Sequence, residues 1–237
     1  TKAEPPSSES GDRLVGFAKT SVEASEWAEK CMGRQKAEPL KVYPIPRPWP
    51  LFDFIVDVPW PCSQRSYVTG VGGCVGLTAT GYGKNTRAHV YPQSYDIDNL
   101  MHEVNRVLGN WVDRYAGGQV YWTTLQVNVN TVSEWHRDHK NLGPSILMVL
   151  GDYSGGELLI AGHKPIKVEN GALLMNGRDW HKTGTIWDGT RISVVAFVHE
   201  GVSVCSEGQK KTLTEFGFRV PDKKVYDDLI EQRRVEE

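Results

Sequence analysis

The chain has 237 residues, a formal charge of −2 and 39% hydrophobic residues, with 24 Gly, 13 Pro and 8 Trp. That length buries a sizeable core without disulfide or metal staples. No apolar run approaches the roughly 18 residues of a membrane span, which excludes an integral helical membrane protein, and a charged fraction of 24% excludes wholesale disorder. The near-neutral balance supplies no overall basic field, so net charge does not point to a nucleic-acid partner.

Residues 1–12 are polar and rich in Pro and Ser, and read as a disordered start. A short helix is expected over Ser21–Gln35. Seven of the 13 prolines then fall within residues 39–61, which predicts extended polyproline geometry in an arm laid across the body. The apolar residues Leu51, Phe52, Phe54, Ile55 and Val56 need burial there. Residues 67–81 mix β-branched residues with glycines and read as short strands with tight turns, and 81–87 as a loop.

A strong helix follows over 95–116, where Ile97, Leu100, Met101, Val104, Val107, Leu108, Trp111, Val112 and Tyr115 recur at three- and four-residue steps. Ser94 or Asp96 is the expected cap, and Gly117-Gly118 the stop. Beyond it the pattern changes. Residues 119–130, 145–150, 157–161, 165–169, 171–175 and 191–198 are short β-rich runs separated by Gly, Asp and Asn, the mark of a sandwich or barrel. Helical spacing returns over 222–237. The expected organisation is therefore a disordered start (1–12), a helix and proline-rich arm (13–61), a mainly β domain with its supporting helix (62–221) and a terminal helix (222–237).

Cys31, Cys62, Cys74 and Cys205 are widely spaced, with no C-x-x-C pair. Reduced thiols and no apolar leader stretch predict an intracellular protein, nuclear or cytoplasmic.

The chemistry concentrates around His136-Arg137-Asp138. In extended chain, residues i and i+2 face one side, so His136 and Asp138 can reach one point while Arg137 faces away. His181 follows the run 171–175. Two imidazoles and a carboxylate on one face of a metal leave positions open, the facial triad of non-haem Fe(II) oxygenases. His136 with His139 also partly matches the close histidine spacing of a cupin metal site. That alternative leaves Arg191 and Ser193 unexplained. These two share a face of the run 191–198, where a guanidinium beside a hydroxyl makes a carboxylate receptor.

These elements in this order, H-R-D at 136–138, G-G-E-L at 155–158, His181 and R-I-S at 191–193, resemble the Fe(II)/2-oxoglutarate-dependent dioxygenase superfamily. Within it, HRDHKN at 136–141 is most similar to the TET/J-binding-protein group, which oxidises the methyl of thymine or 5-methylcytosine in DNA. The resemblance implies a double-stranded β-helix (jelly-roll). It implies Fe(II) on His136, Asp138 and His181. It also implies 2-oxoglutarate chelating that iron, with its far carboxylate on Arg191 and Ser193, and O₂ as the second co-substrate. The reaction implied is hydroxylation of a C–H bond with release of succinate and CO₂.

Thr124, Gln126, Asn128 and Asn130 form a polar stripe. It either faces water or lines the cavity, where Asn128 is the candidate for 2-oxoglutarate. Gly155-Gly156 reads as a tight turn. Trp135, Trp180 and Trp187 flank the ligands as core, or as a stacking platform for a flipped base. Lys84, Arg87, Arg137, Lys140, Arg178 and Lys182 offer a local basic rim. Three functions follow: a dioxygenase of a 5-methylpyrimidine in DNA, a hydroxylase of protein side chains, or a non-catalytic β-helix that binds a partner.

Overall fold

The computed structural model describes residues 39–236 except 64 and 82. The expected disordered start, the expected helix at 21–35 and Cys31 lie outside the described residues. The elements run β1 (Tyr43–Pro44), α1 (Trp49–Val56), β2 (Val68–Thr80), β3 (Arg87–Val90), α2 (Gln93–Asp96), α3 (Asp98–Tyr115), β4 (Thr124–His136), β5 (Asn141–Leu150) and β6 (Tyr153–Gly155). They continue with β7 (Leu158–Ile160), β8 (Gly171–Met175), β9 (His181–Thr183), β10 (Ile186–Gly189), β11 (Ile192–His199), α4 (Glu207–Glu215) and α5 (Lys223–Glu236).

The main sheet runs β1-β8-β5-β11-β4-β2-β3, with every pairing antiparallel. Strand β4 belongs to two layers. Thr124–Val129 pairs with β11, whereas Ser133 and His136 pair with β9, which in turn pairs with β7. Asn130 makes the change of direction. It takes a left-handed φ of 48°, which Asn tolerates better than most residues, and its Oδ1 accepts from the Arg191 amide at 2.8 Å. An isolated Leu158–Ile166 bridge and the β6–β10 pair complete the second layer. Strands that interleave between two facing layers in this way form a double-stranded β-helix, mainly β with flanking helices.

The run Ile146–Leu150 is buried on both faces, so it is continuously apolar rather than alternating. Ile146, Met148 and Leu150 join Ile192, Val194 and Ala196 on the outer face, against Met101, Val104, Leu108 and Trp111 of α3. Leu147 and Val149 point inward, with Leu158, Leu173 and Met175. Each such side chain contributes about 1.5–3 kcal/mol by leaving water.

Three local expectations change. The proline arm is not extended throughout: Trp49–Val56 is helical, with Pro50 in its first turn where no amide partner is needed. Leu51 and Ile55 are buried on that helix while Phe54 faces outward. Residues 68–80 form one long strand, because Gly70 and Gly76 adopt positive φ and absorb its irregularities instead of ending it. The main helix breaks at Ile97 and has no side-chain cap. Ser94 is buried and accepts from the Gly76 amide at 2.8 Å instead. Helix α4, missed in sequence, starts on a Ser206/Gln209 capping box. Among the described residues no helix is long and apolar enough to cross a membrane.

Candidate active site

The pairing of β4 with β9 sets His136 directly opposite His181. Cross-strand partners in an antiparallel pair are only about 5 Å apart, so the two imidazoles meet without help from a loop. Their ring centroids are 4.3 Å apart. Strand β4 ends at His136, and Asp138 stands in the turn beyond it. The Asp138 amide donates to the Gly177 carbonyl at 2.8 Å, which fixes the turn. One ligand atom from each of His136, Asp138 and His181 lies within 4.8 Å of the other two. His181 Nε2 and Asp138 Oδ2 are 3.9 Å apart.

Both histidines are oriented by their own backbone. His136 Nδ1 donates to the Glu134 carbonyl at 2.8 Å and His181 Nδ1 to the Asp179 carbonyl at 2.7 Å. A carbonyl only accepts, so each Nδ1 carries the proton and each Nε2 presents a lone pair. Burial, reinforced by the nearby His181, pushes the His136 pKa down to about 4, so it is neutral at physiological pH. Two neutral imidazoles and a carboxylate suit Fe(II) with positions left open. His139 is exposed and outside the cluster, which leaves the cupin pairing without its second histidine.

The cluster opens on a cavity of about 580 Å³ between the layers. Asn128, Ser193, Gln126 and Thr124 line it, so at these positions the polar stripe of β4 faces the cavity rather than bulk water. Asn130 does not line it; it joins β4 to β11. Arg191 immediately precedes β11 and is not among the lining residues. It is 2% exposed and sits 5.7 Å from the Tyr153 ring, beneath Gly156. Burial lowers its pKa, while Tyr153 and the charge of Glu157 act the other way. Its Nε has no hydrogen-bond partner. A buried guanidinium with a spare donor, near a hydroxyl and an amide on the cavity wall, fits a dicarboxylate such as 2-oxoglutarate.

Sequence reasoning missed several lining residues: Cys74, Tyr91, Asn141, Ser145 and His199. Asn141 donates to Ser145 Oγ at 3.3 Å and to Asp138 Oδ2 at 3.4 Å, bracing the carboxylate. His199 shares the alternation of Arg191 and Ser193 on β11 and was legible from it. Trp135 is core, packed with Leu159, Ala161 and Trp180, whereas Trp187 is 74% exposed on β10. Of the expected rim, Arg137 and Lys140 line the cavity and Arg65 joins them, while Arg178 is buried. Asp138 is the only carboxylate among the described lining residues. Cys62, Cys74 and Cys205 are outside any disulfide.

No family model matches the chain, and no curated protein matches it. Solved structures do. NgTET1 in complex with 5mC DNA is 17% identical over 58% of this chain and 62% of its own, with a TM-score of 0.40. A 2OG-Fe(II) oxygenase family oxidoreductase from Burkholderia pseudomallei is 15% identical over 75% of this chain and 90% of its own, with a TM-score of 0.46. A prolyl hydroxylase from Trichoplax adhaerens, in complex with a hypoxia inducible factor peptide fragment, is 12% identical over 78% and 95%, with a TM-score of 0.41. At these identities the likeness is one of fold.

Proposed function

We propose that the protein is an Fe(II)/2-oxoglutarate-dependent dioxygenase that hydroxylates a C–H bond, with the methyl group of 5-methylcytosine or thymine in DNA as its substrate. The observation that carries the chemistry is the triad of His136, Asp138 and His181, with both Nε2 lone pairs freed by backbone acceptors and turned to one cavity. When bound there, iron with 2-oxoglutarate supplies the O₂-derived oxidising power, and succinate and CO₂ leave.

The chain's own residues do the rest. Asn141 holds the Asp138 carboxylate in place. Ser193 and Asn128 offer polar contacts to the co-substrate, and Arg191 supplies the charge that balances its far carboxylate. The inward apolar wall of Leu147, Leu158 and Met175 excludes water from the reacting end. Arg65, Arg137 and Lys140 give the cavity a positive field that the chain's net charge conceals, and phosphates favour such a field.

The test is a reaction of the Fe(II)-loaded protein with 2-oxoglutarate and O₂ on 5-methylcytosine and thymine oligonucleotides, read by mass spectrometry. A product 16 mass units heavier, formed with equimolar succinate, is expected. Succinate formed on peptides, with no oligonucleotide product, would assign protein side chains instead. No tight metal binding under anaerobic titration would leave only a binding module.

A further inference from the structure

Four polar side chains on the inner face of β2, β4 and β11 form a chain of hydrogen bonds with one direction. The register sets Cys74 opposite Gln126, and both Gly72 and Ser193 opposite Asn128. The Cys74 thiol donates to Gln126 Oε1 at 2.8 Å. The Gln126 amide nitrogen donates to Asn128 Oδ1 at 3.1 Å. The Asn128 amide nitrogen donates to Ser193 Oγ at 3.5 Å, the longest link.

We propose that Cys74 and Gln126 are positioning residues for the co-substrate, because this chain turns the Ser193 hydroxyl outward as a donor to a carboxylate of 2-oxoglutarate. A thiol that donates to its oxygen, together with the Val127 carbonyl that accepts from its nitrogen at 3.0 Å, fixes which way the Gln126 amide faces. That amide fixes Asn128, and Asn128 occupies a lone pair of Ser193. The serine proton is then left pointing away from the chain. Without the first donor, the Gln126 amide is held only by its nitrogen's bond to the Val127 carbonyl at 3.0 Å, the link from Gln126 to Asn128 loosens, and Ser193 more readily presents a lone pair, which repels a carboxylate.

Two further observations support this. Burial pushes the Cys74 thiol up to about 11, so it stays protonated and remains a donor. Gly72 leaves the Asn128 amide its room, since a Cβ there would sit 3.3 Å from Asn128 Oδ1 and 2.3 Å from the Val127 carbonyl oxygen.

The inference rests on the reading of the cavity as a 2-oxoglutarate site, and the experiment separates the two. 2-Oxoglutarate is titrated anaerobically into the Mn(II)-loaded protein, and its Kd is read by calorimetry for wild type, Cys74→Ala, Cys74→Ser, Ser193→Ala and the Cys74→Ala/Ser193→Ala double variant. A lost neutral hydrogen bond is worth roughly a three- to tenfold weakening. Cys74→Ala is expected to weaken 2-oxoglutarate by about that factor with Mn(II) affinity unchanged, and Cys74→Ser to restore it. In the Ser193→Ala background Cys74→Ala is expected to have no further effect, which a merely structural role would not produce. Equal Kd values for wild type and Cys74→Ala, or additive losses in the double variant, would overturn the inference. No 2-oxoglutarate binding by wild type would instead overturn the reading of the site.

Discussion

The Arg191 side chain lies where a Cβ on Gly156 would have to go: such a carbon would sit 2.7 Å from Arg191 Cδ and 3.1 Å from its Nε. Gly156 also has a φ of +67°, which L side chains adopt at a cost of about 1–2 kcal/mol. The second glycine of G-G-E-L therefore does more than turn the chain; it gives the buried guanidinium its berth. Gly156→Ala is expected to displace Arg191 and weaken 2-oxoglutarate by roughly 10- to 100-fold, the range for a hydrogen bond to a charged group. Gly117→Ala is the control, since it has a φ of +69° but nothing within 4 Å of its Cβ. Equal 2-oxoglutarate affinities in the two variants would show that Gly156 acts only through its backbone.

Removing a ligand separates chemistry from folding. His181→Ala and Asp138→Ala are expected to abolish turnover and to lower Mn(II) affinity by at least tenfold. Their thermal midpoints should stay within a few degrees of metal-free wild type, because the sheet pairing that holds β9 to β4 is made by backbone. Anaerobic Mn(II) titration and thermal melts of the metal-free proteins check both halves. A large loss of stability would mean that the cluster also holds the two layers together.

Much of this site was legible in the sequence, for identifiable reasons. His136, Asp138 and His181 carry chemistry that few other roles require, and β11 alternates cleanly enough to set Arg191 and Ser193 on one face. The polar stripe of β4 was visible, but not which side of the sheet faced water; that depends on α3 covering the other side. Tyr91 was invisible because it stands just past the short strand β3, and Cys74 because β2 is punctuated by glycines and shows no alternation. Its true length was hidden for the same reason. Helix α1 was hidden by its prolines, which favour extended chain everywhere except in a helix's first turn. Asn130 was read as one more member of the stripe, since its left-handed φ leaves no trace in residue type alone.

Asn130 makes that last point testable. Its side chain accepts from the Arg191 amide, and its own amide donates to the Arg191 carbonyl at 2.8 Å. Asn130→Gly keeps the left-handed φ and loses only the side-chain acceptor, whereas Asn130→Ala loses both. Denaturant unfolding is expected to show about 1 kcal/mol lost for Gly and about 2–3 kcal/mol for Ala. Equal losses would mean that the bend in β4 carries no backbone strain.

His199 gives the metal-free protein an acid limit. It is buried on the cavity wall, and its Nδ1 accepts from the Gly201 amide at 2.9 Å, so that nitrogen is unprotonated. Burial, then the charge of Lys140, lowers its pKa below the free value of 6.5, with Glu200 opposing. Below that free value the unfolded chain takes up a proton that the folded protein refuses. Stability is therefore full above about pH 6.5 and falls as the pH drops further. His199→Asn keeps an acceptor for Gly201 and cannot titrate. Its thermal midpoint should fall less than that of wild type between pH 7.5 and 5.5. Parallel losses in the two proteins would move the acid sensitivity to other groups, such as His136.

The positive field of the cavity predicts how binding responds to salt. Lys140 is exposed, lines the cavity and carries no role in the metal cluster. If it meets a phosphate, Lys140→Ala weakens a methylated oligonucleotide and an unmethylated one by the same factor. It should also reduce the slope of log K against log salt by about 0.7 for a single strand or 0.9 for a duplex. The 2-oxoglutarate affinity should not change, because the proposed co-substrate contacts are at the Ser193 end of β11 and Lys140 neighbours the opposite end, where its carbonyl accepts from the Glu200 amide at 3.0 Å. Filter binding across a salt series measures the slope directly. An unchanged slope would detach Lys140 from the phosphate backbone, and with it the strongest physical support for a nucleic-acid substrate over a peptide.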